Sequence, residues 1–258
     1  MPAVNELKNK AVLEYQIKTQ LGEGSFWDWK TQELYWIDIL GNTLHIYNPK
    51  TKTDRALATP SNIGTVVPID ATRAVVALQD GIYIMNTNSG EITLLSDVEH
   101  DIPANRFNDG KCDPSGRFWV GSMAYDETPK AANLYMIKGN GETSLKIKGV
   151  TISNGIVWTK DKTTMYYIDT PTSEIKAYDY DDATGDISNP RVAVKVNDSL
   201  GYPDGMTIDD SDKLWVAMWN GNAVICFDPV KGEMVSKIDV PAHNVTSCAF
   251  GGKDLDTL

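Results

Sequence analysis

The stretch CDPSGRFWVG, residues 112–121, joins a polar turn to a strand-forming run centred on Trp119. Similar runs recur along the chain as LYWID around Trp36, AVVAL around Val76, MYYID around Tyr167 and LWVAM around Trp215. Their centres lie 40, 43, 48 and 48 residues apart, and a period of about 40 to 50 residues is typical of propeller repeats. Because β-branched and aromatic residues favour pleated strands, the pattern predicts an all-β chain of small antiparallel sheets arranged radially.

The number of repeats follows from the length. A period of about 45 residues divides the 258 residues into between five and six units. A sixth unit begins at NVTSCAFGG, residues 244–252, and would finish beyond Leu258. We therefore expect a single domain, residues 1–258, folded as a six-bladed β-propeller with an incomplete last blade. Either the N-terminal segment 1–20 supplies a closing strand, or the chain lacks its natural tail.

Composition restricts the classes of partner. The chain has 24 basic and 35 acidic residues, a net charge of −11 and a pI near 4.7, which disfavours binding to nucleic acid or to an anionic membrane. No run of 18 apolar residues is present, so we expect no membrane span. The three widely spaced cysteines form no CxxC pair, which indicates reduced thiols and a cytoplasmic location.

Four oxygen-bearing side chains occupy the same position in their repeats. Each lies 11 to 13 residues before a strand-centre aromatic and next to or near a glycine: Glu23 in GEGSFWD, Asn108 in RFNDGKCD, Asn154 in SNGIVW and Asp204 in YPDGMTID. A lone Asn-Gly or Asp-Gly is typical of a hairpin turn. Four at one position of a radial repeat instead indicate a shared site at the mouth of the central channel.

The chemistry of this set favours a metal. Two carboxylates and one or two amide oxygens are hard ligands that suit Ca²⁺, Mg²⁺ or Mn²⁺, with Zn²⁺ as a further candidate. So few protein ligands would leave coordination positions open, as a catalytic metal requires. The three histidines are far apart and match no HExxH spacing, so they are not expected as ligands.

Five longer segments carry a resemblance to a known family. They are LGEGSFWDWKTQELYWIDI, RFNDGKCDPSGRFWVGSMA, SNGIVWTKDKTTMYYIDT, DGMTIDDSDKLWVAMWNG and VTSCAFGGKDLDTL. In them the chain resembles the senescence marker protein, gluconolactonase and luciferin-regenerating enzyme family, which includes regucalcin. The likeness runs from about residue 21 to the end, and YYIDT, YDYD and SCAFGGKDLDTL resemble in particular the animal regucalcin and luciferin-regenerating branch. It implies a six-bladed propeller with one divalent cation at the channel mouth.

The resemblance also implies roles for individual residues. The metal ligands would be Glu23, Asn154 and Asp204. The substrate would contact Arg106, Asn108 and Asp126, and Met123 would line the same pocket. Asp126 stands where relatives carry glutamate. Because aspartate is shorter, its hydrogen bond to a sugar hydroxyl is expected to differ from the one that glutamate makes in relatives.

Three functions are compatible with this set. The first is a metal-dependent lactonase that opens an aldonolactone such as gluconolactone, with Asp204 as the general base for an attacking water. The second is a non-catalytic Ca²⁺-binding regulatory protein. The third is a luciferin-regenerating type of hydrolase that acts on a non-sugar substrate. Ca²⁺ is the first choice of cation, with Zn²⁺, Mn²⁺ or Mg²⁺ as alternatives. We expect a small lactone as partner and a monomer or weak homodimer.

Overall fold

The computed structural model describes residues 10–258, which form twenty strands in five four-stranded antiparallel sheets. Each sheet is built from four consecutive strands in sequence order. The first sheet comprises β1 (Gly22–Asp28), β2 (Glu33–Asp38), β3 (Thr43–Asn48) and β4 (Thr53–Ala58). The second comprises β5 (Ile63–Asp70), β6 (Arg73–Leu78), β7 (Gly81–Asn86) and β8 (Ile92–Ser96). The third comprises β9 (Asn105–Cys112), β10 (Phe118–Ala124), β11 (Ala132–Ile137) and β12 (Thr143–Val150). The fourth comprises β13 (Ser153–Trp158), β14 (Thr164–Asp169), β15 (Glu174–Asp181) and β16 (Asp186–Lys195). The fifth comprises β17 (Tyr202–Ile208), β18 (Leu214–Trp219), β19 (Ala223–Asp228) and β20 (Glu233–Asp239).

The polar turns seen in the sequence join the first two strands of a sheet. In the fifth sheet, Asp209 Oδ1 accepts hydrogen bonds from the backbone N–H groups of Ser211 and Lys213. In the third sheet, Asp113 Oδ1 does the same for Ser115 and Arg117. An aspartate that bonds to the backbone two residues ahead reverses the chain, which explains why strand, turn and strand recur together.

The hydrophobic core lies between neighbouring sheets. One cluster joins Tyr35 of the first sheet to Val76 of the second, and another joins Trp119 of the third to Trp158 of the fourth. The first strands of successive sheets also contact one another, in the order β1, β5, β9, β13, β17. The sheets therefore pack face to face with their first strands innermost. This confirms the predicted all-β propeller architecture.

Of the predicted six blades with an incomplete last one, residues 10–258 show five complete sheets. Residues 244–250 form no strand. They lie instead between the first strands of the fifth and first sheets. Thr246 accepts a hydrogen bond from Gly205 N at 2.8 Å, and its hydroxyl donates to Gly22 O at 2.7 Å. The segment makes these contacts without partner strands of its own, so the described chain shows no sixth sheet.

The N-terminal segment meets the fifth sheet at its outer edge. Lys10 forms a parallel bridge with Asp239, and Ala11 N donates to Asp239 O at 2.8 Å. The first nine residues of the predicted closing segment 1–20 lie outside the described residues, so a closing strand stays a prediction. Within residues 10–258, the three cysteines are free thiols and no helix has the length and apolar character to cross a membrane.

Candidate functional site

The four predicted oxygen-bearing residues all stand at irregularities of the innermost strands. In β1, β9, β13 and β17 the pairing register shifts at the positions of Glu23, Asn108, Asn154 and Asp204 respectively. A β-bulge turns a side chain out of the regular alternation and is common beside functional sites. The second sheet has the same irregularity after Ile63, but that residue offers no oxygen. The four residues therefore share a backbone irregularity as well as a position in the sequence repeat.

The glycines of these segments serve close packing inside the propeller. A Cβ on Gly155 would lie 2.5 Å from Met206 Cβ and 2.9 Å from Asp204 O, so only glycine lets β13 approach β17. Gly24 adopts φ +62°, a left-handed backbone that favours glycine. The alternative interpretation, in which the Asn-Gly and Asp-Gly pairs form hairpin turns, is wrong because these pairs lie within strands.

The side chains converge on a cavity of about 340 Å³ at the end of the channel where the innermost strands begin. Six of the seven predicted site residues line it: Glu23, Arg106, Asn108, Met123, Asn154 and Asp204. The remaining wall residues are Leu21, Glu127, Ile152, Thr170, Pro171, Tyr202 and Trp219. The structure thus brings together the predicted ligands and the predicted substrate contacts in one concave site.

Asp126 is the exception among the predicted residues. Its carboxylate faces an exposed turn, where Oδ1 accepts hydrogen bonds from the backbone N–H and hydroxyl of Thr128. The next residue, Glu127, lines the cavity instead. Glu127 has φ +56°, a left-handed backbone conformation in the turn where the two acidic side chains diverge. The acidic residue at this wall is therefore Glu127.

A relay of hydrogen bonds fixes the amides of the site. Arg106 Nη1 donates to Asn108 Oδ1 at 2.7 Å. Asn108 Nδ2 donates to Asn154 Oδ1 at 3.2 Å and to a backbone carbonyl at 2.7 Å. Asn154 Nδ2 in turn donates to Thr170 Oγ1, whose proton goes to Pro203 O. The order of donors and acceptors sets the orientation of both amide groups and leaves Asn154 Oδ1 with capacity for a further partner.

The two carboxylates of the site are buried together. Burial raises the pKa of Glu23 well above its usual range, and the charges of Asp204 and Asp109 raise it further. Burial and the charge of Asp109 likewise raise the pKa of Asp204. Within residues 10–258, Asp204 Oδ1 is buried and has no hydrogen-bond partner. A buried carboxylate normally has a cation or donors to compensate it, so this free oxygen is the feature that a bound cation would explain.

The donor set fits a hard cation. It comprises carboxylate oxygens of Glu23 and Asp204 and the oriented amide oxygen of Asn154, the ligand type that Ca²⁺ and Mg²⁺ prefer. The described chain contains no cluster of three or more His, Cys, Asp or Glu suited to a metal. Two carboxylates balance a dication without surplus charge.

The paired carboxylates give the metal-free protein a distinctive pH dependence. Because their pKa values are raised by folding, the folded state binds more protons, and its stability falls as pH rises above about 4 through these raised values. We expect the melting temperature of metal-free protein to drop as the pH rises above about 4 and through neutral pH. Saturating Ca²⁺ should remove most of that drop. Calorimetric scans of metal-free and Ca²⁺-loaded protein across this range measure it. The same slope with and without cation would contradict the assignment.

Two charged residues deeper in the channel escaped the sequence analysis. Lys111 Nζ donates to Met206 O at 2.9 Å, and Asp109 lies on the same strand, β9. Burial raises the pKa of Asp109 and lowers that of Lys111. The only sequence signal was the unusual placement of charges in the strand segment NDGKC, residues 108–112.

Comparison with known proteins agrees with the sequence resemblance. A model of the family described as "SMP-30/Gluconolactonase/LRE-like region" matches residues 21–258. The chain belongs to this family. Its relatives include the Bacillus subtilis (strain 168) protein named "Putative sugar lactone lactonase YvrE", which is 41% identical over 96% of this chain and 85% of its own.

Two solved structures of the family share the fold. A luciferin-regenerating enzyme superposes with a TM-score of 0.88 at 34% identity, covering 93% of this chain and 82% of its own. A regucalcin from Agrobacterium tumefaciens, described as a calcium-binding protein, also has a TM-score of 0.88, at 28% identity, covering 92% of this chain and 80% of its own. The family thus includes proteins named for lactone hydrolysis, luciferin regeneration and calcium binding.

Proposed function

We propose that this protein is a divalent-metal-dependent hydrolase that opens a small lactone of the aldonolactone type. The observation that carries the proposal is the buried pair Glu23 and Asp204, with one free Asp204 oxygen, at an open cavity lined by an arginine. The names of lactonase relatives support the reaction class. Ca²⁺ is the cation we propose first, with Zn²⁺, Mn²⁺ and Mg²⁺ as alternatives, because hard oxygen ligands select weakly among them.

Each residue of the site has a role in this reaction. A dication held by Glu23, Asn154 and Asp204 would supply Lewis acidity and lower the pKa of bound water. Asp204 is the general base, because its carboxylate lines the open cavity beside the cation ligands and can accept a proton from the attacking water. The water oxygen adds to the lactone carbonyl carbon, the ring C–O bond breaks, and the proton goes to the departing ring oxygen to give a hydroxy acid.

Arg106 is the group that stabilises negative charge on the carbonyl oxygen. Its Nη1 is held by Asn108 Oδ1 and by the backbone carbonyl of Phe107. Within residues 10–258, Arg106 Nε and Nη2 donate no hydrogen bond to the protein. These two donors are therefore available to substrate. Fixed donors aimed at a developing oxyanion lower the barrier without reorganisation at the moment of reaction.

The experiment that tests the proposal is hydrolysis of D-glucono-δ-lactone, followed by a pH indicator, with metal-stripped protein. We expect little turnover above the uncatalysed rate without metal, and restoration by one or more of Ca²⁺, Zn²⁺, Mn²⁺ and Mg²⁺. Turnover that is indifferent to chelation would contradict metal dependence. Cation binding without hydrolysis of any lactone would favour the non-catalytic Ca²⁺-binding function. Hydrolysis confined to non-lactone esters would favour the luciferin-regenerating type of hydrolase.

The six-blade arrangement belongs to this proposal as well. Residues 244–250 occupy the innermost position between β17 and β1, where a sixth first strand would stand. Gly205 supports this placement, since a Cβ there would lie 2.7 Å from Thr246 O. We propose that this segment closes the ring around the site.

A further inference from the structure

Three residues of the cavity lining, besides Arg106, keep hydrogen-bonding groups that the protein does not use. They are Glu127, Tyr202 and Trp219. Among residues 10–258, no protein group bonds to the Tyr202 hydroxyl, the Trp219 indole N–H or the Glu127 carboxylate. A ligand that fills the cavity displaces the water at these groups, and it binds best when it supplies partners of its own.

Two of these residues are aromatic and lie side by side. Tyr202 of β17 is the direct partner of Trp219 of β18 in the antiparallel pairing, and residues directly opposite each other in such a pair project from the same face of the sheet. Their side chains are 43% and 36% exposed. The pair therefore offers two aromatic rings to the cavity, and each ring carries a polar group at its edge.

Close backbone packing fixes the position of this aromatic pair. Gly201 precedes Tyr202 and has φ +96°, a backbone conformation that favours glycine. A Cβ on Gly201 would lie 2.5 Å from Trp219 O and 2.8 Å from Gly221 Cα. The segments before Tyr202 and after Trp219 are thus in contact, and this contact holds the two strands in the register that pairs the rings.

The ring of an aldonolactone has groups that complement this lining. It carries C–H groups, which pack on aromatic faces, and several hydroxyls, which both donate and accept hydrogen bonds. A hydroxyl can donate to the Glu127 carboxylate, which only accepts, and can accept from the Trp219 N–H, which only donates. The Tyr202 hydroxyl can serve in either role. A lactone without hydroxyls would cover the same groups and leave them without partners, which costs affinity.

From the unused groups and the fixed aromatic pair we infer that Tyr202, Trp219 and Glu127 determine specificity for a lactone that carries ring hydroxyls. The inference rests on the proposed lactonase function and assigns this selectivity to three residues outside the predicted ligand and substrate set. The lactone carbonyl lies at the cation ligands and Arg106. The hydroxyl-bearing carbons contact the two aromatic rings, and the Glu127 carboxylate accepts from a hydroxyl.

A pair of substrates measures this selectivity in the unmodified protein. D-Glucono-δ-lactone and δ-valerolactone have the same six-membered lactone ring, but the second lacks the hydroxyls and the hydroxymethyl group. Each kcat/KM is divided by the rate constant of uncatalysed hydrolysis, because the two lactones differ in reactivity. A site that hydrogen-bonds substrate hydroxyls discriminates strongly against an analogue without them, so we expect a ratio of at least about 100 in favour of the sugar lactone. A ratio near one overturns the inference.

Three conservative variants test the assignment of residues. Tyr202→Phe and Trp219→Phe keep an aromatic ring and remove its polar group, and Glu127→Gln removes the charge. We expect each to lower kcat/KM for D-glucono-δ-lactone by about three- to tenfold, the effect of one lost hydrogen bond. Hydrolysis of δ-valerolactone should change little, because it has no hydroxyl to bind. Trp29→Phe is the matched control, since Trp29 is an exposed aromatic residue outside the cavity lining.

The outcomes separate this inference from the proposed function. Equal hydrolysis of the two lactones leaves the lactonase proposal intact and contradicts only the selectivity. Equal losses for both substrates in the three variants would show a general effect on the fold or the cation site, and they overturn the assignment of residues. Absence of hydrolysis for every lactone with every cation contradicts both proposals. The comparison of substrates on the unmodified protein needs no variant, so it decides the selectivity even if a variant folds poorly.

Discussion

Replacing Asp204 by asparagine is expected to lower lactone hydrolysis by roughly 10²- to 10⁴-fold, the range for loss of a general base. The amide keeps the shape of the side chain but cannot take up the proton of the attacking water. It also removes one of two buried negative charges. We therefore expect the metal-free variant to melt at a higher temperature than the unmodified protein at pH 8. Steady-state kinetics at saturating cation and calorimetry of metal-free protein measure the two effects.

Asp210→Asn is the matched control for this substitution. It makes the same chemical change in the same sheet, but Asp210 is almost fully exposed and pairs only with a surface lysine. We expect its activity and melting temperature to stay close to those of the unmodified protein. Unchanged kcat in Asp204→Asn would show that another group takes the proton. Lower activity with lower metal-free stability would show that Asp204 serves mainly to hold the fold.

The position of the site was accessible from sequence because backbone and chemistry repeat together. Glu23, Asn108, Asn154 and Asp204 were found at one position of the repeat, and the structure places all four at bulges of innermost strands. A bulge next to a glycine can be recognised in the sequence, because the glycine cannot be replaced where another strand approaches closely. The second sheet has the same irregularity after Ile63, but this residue has no side-chain oxygen that could serve the site.

Other members of the site could not be predicted, because their placement depends on loop geometry and long-range packing. The choice between Asp126 and Glu127 depends on the conformation of the turn in which Asp126 bonds to Thr128, and two adjacent acidic residues give no sequence signal for it. Tyr202 and Trp219 meet because β17 and β18 pair in a particular register. An exposed aromatic residue in a strand is otherwise unremarkable in sequence.

The architecture was predicted better than the number of blades. The polar turn and the aromatic strand recur at a period that fixes the size of one sheet. The chain after β20 lacks this repeat in full. It closes against β1 through individual contacts such as the 2.8 Å hydrogen bond between Ser25 and Ser247. A segment held by side-chain contacts of this kind gives no periodic signal.

Loss of Asp113 is expected to destabilise the fold strongly. Its carboxylate is completely buried. Oδ2 accepts hydrogen bonds from Arg117 Nε at 2.6 Å, Trp119 Nε1 at 2.9 Å and Tyr180 OH at 2.8 Å. Because Tyr180 belongs to β15, this one carboxylate joins the third sheet to the fourth. Removing it leaves a guanidinium, an indole N–H and a phenol without their acceptor in the core.

We expect Asp113→Ala to lower the free energy of unfolding by about 3–5 kcal/mol, the usual cost of breaking a buried ion pair. Asp209→Ala is the matched control. Asp209 occupies the same turn in the fifth sheet and bonds to Trp215 Nε1 and two backbone N–H groups, without an arginine or tyrosine partner. Its loss should cost about 1–2 kcal/mol. Urea unfolding of both variants gives the comparison.

Activity separates this structural role from the chemistry of the site. Asp113 follows the end of β9, whereas the cavity lies where the innermost strands begin. Sites this far apart are usually independent, so Asp113→Ala should keep the kcat of the cation-loaded protein well below its melting temperature. Equal losses of stability in the two aspartate variants would show that the turn itself, and not the junction between sheets, carries the energy.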